Sequence, residues 1–250
     1  MPAAERPPSH GDRPGRHFGW RLWLWLSGCT SLAACAPALP TMAGGTTTPV
    51  GRHALGAGAA GCFAFGETAD LERDGAAAQS DPEGALPVFW WRHAPVRDWD
   101  VGVLVAASTA RLDLRRQFVL QRGTTQTSVR LGLSPYAGWL PGLDRGHGGR
   151  GGLALPAVYA VDFGNIVEVW TGVQLAAEYR AGDFGAAVPA LRAGIVDAQA
   201  IVGWAAGLGS LHFIFELSAG IGRWWLDAGA PQRRLHGFSL TPAGGVRWRF

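Results

Sequence analysis

The sequence contains no lysine; all 22 members of its Lys+Arg total are arginine, set against 19 acidic residues. The resulting net charge of +3 over 250 residues gives no reason to expect a nucleic-acid partner. Cysteine is scarce at three, and two of these fall within the first 35 residues, which excludes a disulfide framework in the rest of the chain. No run of eighteen residues is both uncharged and apolar throughout, so no segment reads as a transmembrane helix. That absence leaves membrane strands open, because they are short, alternate in character and hardly disturb average hydropathy. No phosphate-binding glycine loop, CxxC pair or dinucleotide fingerprint is present, and no cofactor is expected. What is abundant is glycine, at 37, and tryptophan, at 12.

The first 35 residues read as an export signal. Arg13, Arg16 and Arg21 precede the stretch "LWLWLSGCTSLAACAPALP", a short apolar run followed by small residues. "LSGC" ends at Cys29 and "LAAC" ends at Cys35, and each resembles a bacterial lipobox, in which a cysteine after a small residue is acylated. Cys35 leaves the longer apolar core after Arg21 and is the preferred site, with Cys29 second and an unmodified signal peptide as the alternative. If Cys35 is acylated, Cys62 is the one thiol left in the mature chain. Residues 36–50, "APALPTMAGGTTTPV", are small, proline-rich and polar, and predict a flexible tether before a domain spanning 51–250.

From residue 51 onward the pattern has period two. Between 167 and 179, Val167, Val169, Val173, Leu175 and Tyr179 share one parity, while Glu168, Trp170, Gln174 and Glu178 hold the other. Residues 111–120 oppose Leu112, Leu114, Phe118 and Leu120 to Arg111, Asp113, Arg115 and Gln117, with Arg116 interrupting the apolar face. Residues 153–163 and 211–223 repeat the pattern, and weaker segments at 51–64, 88–93, 100–107, 128–135 and 198–208 join the closing run 238–250 to make ten strands, with eight as the alternative. The connectors alternate long and short with one departure, as an up-and-down barrel requires when its turns lie at one end and its loops at the other. Alternation by itself does not separate a membrane barrel, apolar side out, from a soluble sandwich or calyx, apolar side in.

The last strand, "FSLTPAGGVRWRF", carries Val246, Trp248 and Phe250 at the fifth-last, third-last and last positions. With the lipobox-like cysteines and the strand pattern, this resembles a small bacterial outer-membrane β-barrel protein. The resemblance implies a Gram-negative outer membrane, contact with its lipid, and a terminal strand read by the barrel-assembly machinery. An acylated cysteine would add the lipoprotein-export machinery.

The parity opposite the apolar one then predicts a bore lined by Arg111, Asp113, Arg115, Arg130, Asp162, Glu168, Gln174, Glu178, His212, Glu216, Arg247 and Arg249. Buried charges are costly unless matched, so these are expected to pair as arginine–carboxylate bridges, with a thin polar path or small-ligand site as the functional alternative. Trp90, Trp91 and Trp99, and separately Trp139, Trp224 and Trp225, are expected in interfacial girdles. For catalysis the candidate is His236 activating Ser239, although a spacing of three on a strand sets them on opposite faces. His212 with Glu216 is the corresponding thought for a metal. The expected function is a non-enzymatic envelope barrel with at most limited solute passage; the alternatives are a lipid-modifying envelope enzyme and a soluble ligand-binding lipoprotein.

Overall fold

The computed structural model describes residues 39–42, 44, 46–67, 84–141, 147–183, 191–227 and 233–250. Cys29, Cys35 and the export signal lie outside the described residues.

Ten antiparallel strands close into one barrel, each paired with its chain neighbours and the last with the first. They are β1 (His53–Gly66), β2 (Gly84–His93), β3 (Trp99–Ala106), β4 (Thr109–Gln121), β5 (Thr125–Pro141), β6 (His147–Phe163), β7 (Val167–Asp183), β8 (Leu191–Leu208), β9 (Leu211–Asp227) and β10 (Arg233–Arg249). The seam between β10 and β1 runs from Ala54 opposite Arg249 to Gly66 opposite Gly237. Closure gives every strand a hydrogen-bonded neighbour on both sides. The even strand number brings His53 and Phe250 together at one end, where each backbone amide donates to the other's carbonyl at 2.9 Å.

The turns at that end are tight. β6 and β7 join through the three residues 164–166, in which Gly164 and Asn165 both adopt positive φ, 66° and 60°, and the Ile166 amide donates back to the Phe163 carbonyl at 3.2 Å. The Asn165 amide also donates to the Asp162 carboxylate at 2.7 Å. At the opposite end β3 and β4 join through Ala107 and Ser108 alone, and this is the departure from alternation that the connector lengths predict. The four other loops at this end are shorter than the sequence suggests. Glycine-rich stretches such as "YAGWLPG" and "RGHGGRG" read as loop, yet most of these residues continue β5 and β6. Neighbouring strands supply the hydrogen bonds that local propensity does not.

The sign of the alternation is decisive. Leu112, Leu133, Leu155, Val173, Leu175, Phe213 and Ile221 face outward and exposed. Asp113, Glu168, Gln174, His212 and Glu216, one residue out of phase with them, are buried in the bore. A sandwich or calyx has the opposite sign. Arg116, which interrupts the outward face, lies over the Trp99 and Phe118 rings at 5.5 and 4.9 Å, so its charge rests against aromatic faces.

The bore is crossed by an apolar collar of Trp90, Leu104, Val158, Trp170, Ile201 and Ile214. The two indoles lie against glycines on adjacent strands: a Cβ on Gly56 would fall 2.0 Å from Trp90, and one on Gly203 would fall 2.4 Å from Trp170. The glycines are there because the rings occupy the space a side chain would need. Trp90 is therefore a core residue, in correction of the girdle expected for it, and Trp224 also turns inward, beneath Arg180 at 4.8 Å. Trp91 points outward, and its ring stacks with His53 and His93 at the end where β1 begins and β10 finishes.

Candidate functional site: the filled bore

The segment read as a tether does not hang free. Thr41, Met42, Thr46 and Thr48 are buried, and the described residues between 39 and 49 run inside the barrel. The physical reason is visible in the wall. Strand alternation places many charges on the inner face, and they require more partners than they can give one another. An extended segment of small residues supplies backbone and hydroxyl groups in a width that fits.

Its grip on the wall is specific. The Thr41 amide and hydroxyl both donate to the Glu216 carboxylate. The Thr41 carbonyl accepts from three guanidinium groups, Arg92 at 3.0 Å, Arg111 at 3.2 Å and Arg115 at 3.2 Å. Arg111 also reaches the Leu39 carbonyl at 3.2 Å, and Arg130 the Gly44 carbonyl at 2.9 Å. Met42 inserts into the apolar collar and is wholly buried. Further along, the Thr46 hydroxyl donates to Glu168, Thr47 to Gln117 through both amide and hydroxyl, and the Thr48 amide to Asp100 at 3.1 Å. Gly44 has φ +64°, and a Cβ there would meet the Arg247 guanidinium at 2.2 Å, so this position accepts only glycine without displacement.

Behind the segment, the wall charges form two clusters. In one, Asp113 receives Arg92 and Arg115 at 3.1 Å each, Arg111 at 3.0 Å and the Ser134 hydroxyl at 2.7 Å. In the other, Glu168 bridges Arg247, at 3.2 Å, and Arg249. Toward the opposite end, Arg180 pairs with Glu178 on its own strand, and Arg150 bonds the Thr109 hydroxyl. Arg111, Asp113, Arg115, Glu168, Glu178, Glu216, Arg247 and Arg249 thus all lie on the inner wall, but Glu216 takes its partners from the N-terminal segment instead of an arginine. Arg92, Asp100, Arg150 and Arg180 also line the inner wall and escape the sequence reading; Arg92 and Asp100 sit in the short strands β2 and β3, where phase is hard to fix.

The two chemical candidates come apart. His236 is exposed on the outer face with Phe238, and Ser239 points inward, so no Ser–His pair forms on β10. His212 turns its Nε2 toward the Asn165 carbonyl at 3.0 Å, away from the Thr41 partnership of Glu216. Val246, Trp248 and Phe250 face outward; the Phe250 ring packs on Trp248 at 4.9 Å and on His53 at 5.7 Å. Beside the exit of the N-terminal segment, a cavity of about 370 Å³ opens between Thr46–Thr48 and the side chains of Arg97, Arg122 and Arg249.

No family model matches the chain, and no curated protein does. Among solved structures, it is similar to the outer membrane protease OmpT from Escherichia coli at 5% identity and TM-score 0.48, over 82% of this chain and 99% of that one. It is similar to Ail, the attachment invasion locus protein of Yersinia pestis, at 11% identity and TM-score 0.33, over 80% of this chain and 99% of that one. A third is Neisserial surface protein A, at 14% identity and TM-score 0.32, with the same coverages. All three are outer-membrane β-barrel proteins, and their biological roles differ. At these scores the barrel rests on the strand register of this chain, not on the likeness.

Proposed function

We propose that the protein is a non-enzymatic β-barrel of the Gram-negative outer membrane, a structural or surface-exposed envelope component with at most limited solute passage. The observation that carries this reading is a barrel with an apolar exterior and a bore filled by its own N-terminal segment. A wall of outward leucine, valine and phenylalanine is stable in lipid and unfavourable in water. The separation of His236 from Ser239 removes the residues on which a lipid-modifying enzyme was considered. Outer-membrane lipid is the partner of the exterior. Val246, Trp248 and Phe250 are proposed as the signal read by the barrel-assembly machinery.

Acylation at Cys35, or at Cys29, by the lipoprotein-export route remains part of the proposal and is linked to the filled bore. Four extended residues span no more than about 14 Å, so an acylated Cys35 is tethered within about that distance of Leu39, whose carbonyl Arg111 holds.

The test is membrane behaviour. The full chain is expressed in a Gram-negative host, and the envelope fraction is run unheated and heated on a gel. A heat-modifiable band that needs detergent to stay folded is expected. A folded protein that remains in solution without detergent would refute the membrane reading. Radiolabelled palmitate incorporation in Cys35→Ser and Cys29→Ser variants assigns the anchor.

A further inference from the structure

We propose that Arg92, Arg111 and Arg115 form an oxyanion-binding site inside the bore, occupied at rest by the Thr41 carbonyl, and that the N-terminal segment is a displaceable plug over it. The inference rests on the membrane-barrel reading above.

Three guanidinium groups converge on one neutral oxygen. A carbonyl offers two lone pairs, yet the Thr41 oxygen has three N–H donors within 3.0–3.2 Å. The same three arginines contact one carboxylate, Asp113, while Asp100 acts on Arg92 and Arg115 from further away, so three cations face two anions and an excess of positive charge remains at full burial. Nε and Nη1 of Arg92 and Nε of Arg115 have no hydrogen-bond acceptor among the described residues. A set of buried donors that outnumbers its acceptors suits a phosphate or carboxylate, whose oxygens accept several charge-assisted bonds at once. The peptide oxygen is an imperfect occupant, held in place from its other side by Glu216.

The plug is also built to be separable. It contributes no strand to the barrel, whose ladder closes between β10 and β1 without it. Its hold is made of non-covalent contacts to the wall, among them Thr41 on Glu216, Met42 in the collar, and Gly44 against Arg247 and Glu168. Gly44→Val would combine a β-branched residue at φ +64° with a contact 2.2 Å from the Arg247 guanidinium, and it changes no wall residue. Met42→Asp acts on the same segment by a different route, placing a carboxylate among Trp90, Trp170 and Ile214.

The experiment is single-channel recording of the full chain in planar bilayers in potassium chloride, with inorganic phosphate as the probe. The wild type is expected to be silent. Gly44→Val and Met42→Asp are expected to open stepwise conductance, which millimolar phosphate then blocks. Adding Arg115→Gln to either variant is expected to raise the half-blocking phosphate concentration at least tenfold. Both variants inserting as heat-modifiable barrels yet remaining silent would overturn the plug. Open variants indifferent to phosphate, or blocked equally with Arg115→Gln, would overturn the anion site. A chain that never forms a heat-modifiable band would instead defeat the membrane reading, and this proposal with it.

Discussion

Asp113→Asn is the substitution for which the bore gives the clearest expectation. The carboxylate lies in the wall with a side chain only 1% exposed, and it compensates Arg92, Arg111 and Arg115 while accepting from Ser134. An amide of the same shape keeps the packing and deletes the charge, leaving three guanidinium groups that repel one another in a medium of low dielectric. Breaking a buried pair from one side costs about 3–5 kcal/mol, and a surplus of three cations places this case at the upper end. In equilibrium terms that is roughly two to nearly four orders of magnitude, at about 1.4 kcal/mol per tenfold. Arg115→Leu should behave differently. It removes one contact to Asp113 and one to the Thr41 carbonyl, but Asp113 keeps Arg92 and Arg111, and the repulsion falls. Its expected cost is under about 2 kcal/mol, since Asp113 stays compensated by two cations and no buried charge is left unmatched. The double variant Asp113→Asn with Arg115→Leu should then be more stable than the sum of the two losses, because the second change relieves the repulsion that the first exposes. The assay is urea unfolding of the detergent-folded barrel, read as the loss of the heat-modifiable band. If Asp113→Asn proves no worse than Arg115→Leu, or if the double variant is at least as unstable as the sum, the arginine cluster is not held by this carboxylate and the account of the bore fails.

Three further substitutions probe other parts of the molecule. Gly203→Val drives a side chain into the Trp170 ring, 2.4 Å from the Cβ position, and should destabilise by about 1–3 kcal/mol with a shift in tryptophan fluorescence; unchanged emission would remove Trp170 from the collar. Leu175→Arg, at the outward centre of β7, should cost about 2–4 kcal/mol when folding is measured into lipid bilayers, whereas an exposed leucine of a water-soluble protein would tolerate it within about 0.5 kcal/mol. Phe250→Ala should lower the amount of assembled barrel in cells while refolding in detergent stays near the wild-type yield; equal cellular assembly would withdraw the terminal-strand signal.

The wall was legible because its residues obey one rule over long runs. Leu112, Leu114 and Phe118 against Arg111, Asp113 and Arg115, or Val169, Val173 and Leu175 against Glu168, Gln174 and Glu178, alternate for several periods, and closure with β10 fixes the rest. Strand ends were less legible, because the glycines of β5 and β6 give no local signal and are extended only by their neighbours. Trp90 reads as a girdle residue because tryptophan near a turn suits an interface as well as a core, and the deciding fact is its partner, Gly56 on β1, which is distant in sequence. The filled bore was illegible for a different reason. Short polar residues such as Thr41, Thr46 and Thr48 have no period, and their partners, Glu216, Glu168 and Asp100, lie 175, 122 and 52 residues away.

Composition draws the edge of the domain at Gly51, where the strands begin, but energetics draws it earlier. Glu216 is fully buried, and among the described residues its bonding partners are the amide and hydroxyl of Thr41. Asp100 likewise takes its described bond from the Thr48 amide. Without the segment, both carboxylates would be left in the bore to find water or to accept a proton, each at a penalty of several kcal/mol if neither occurs. The wall and the segment are therefore one solution to one electrostatic problem. Alternation in a membrane barrel forces polar groups inward, ten strands enclose slightly more room than side chains alone can fill, and a strand-width length of threonine and glycine closes the difference. A device that satisfies buried charges in this way is also one that exposes them when it moves. That is why the same contacts that make the bore tight are the ones from which it would open.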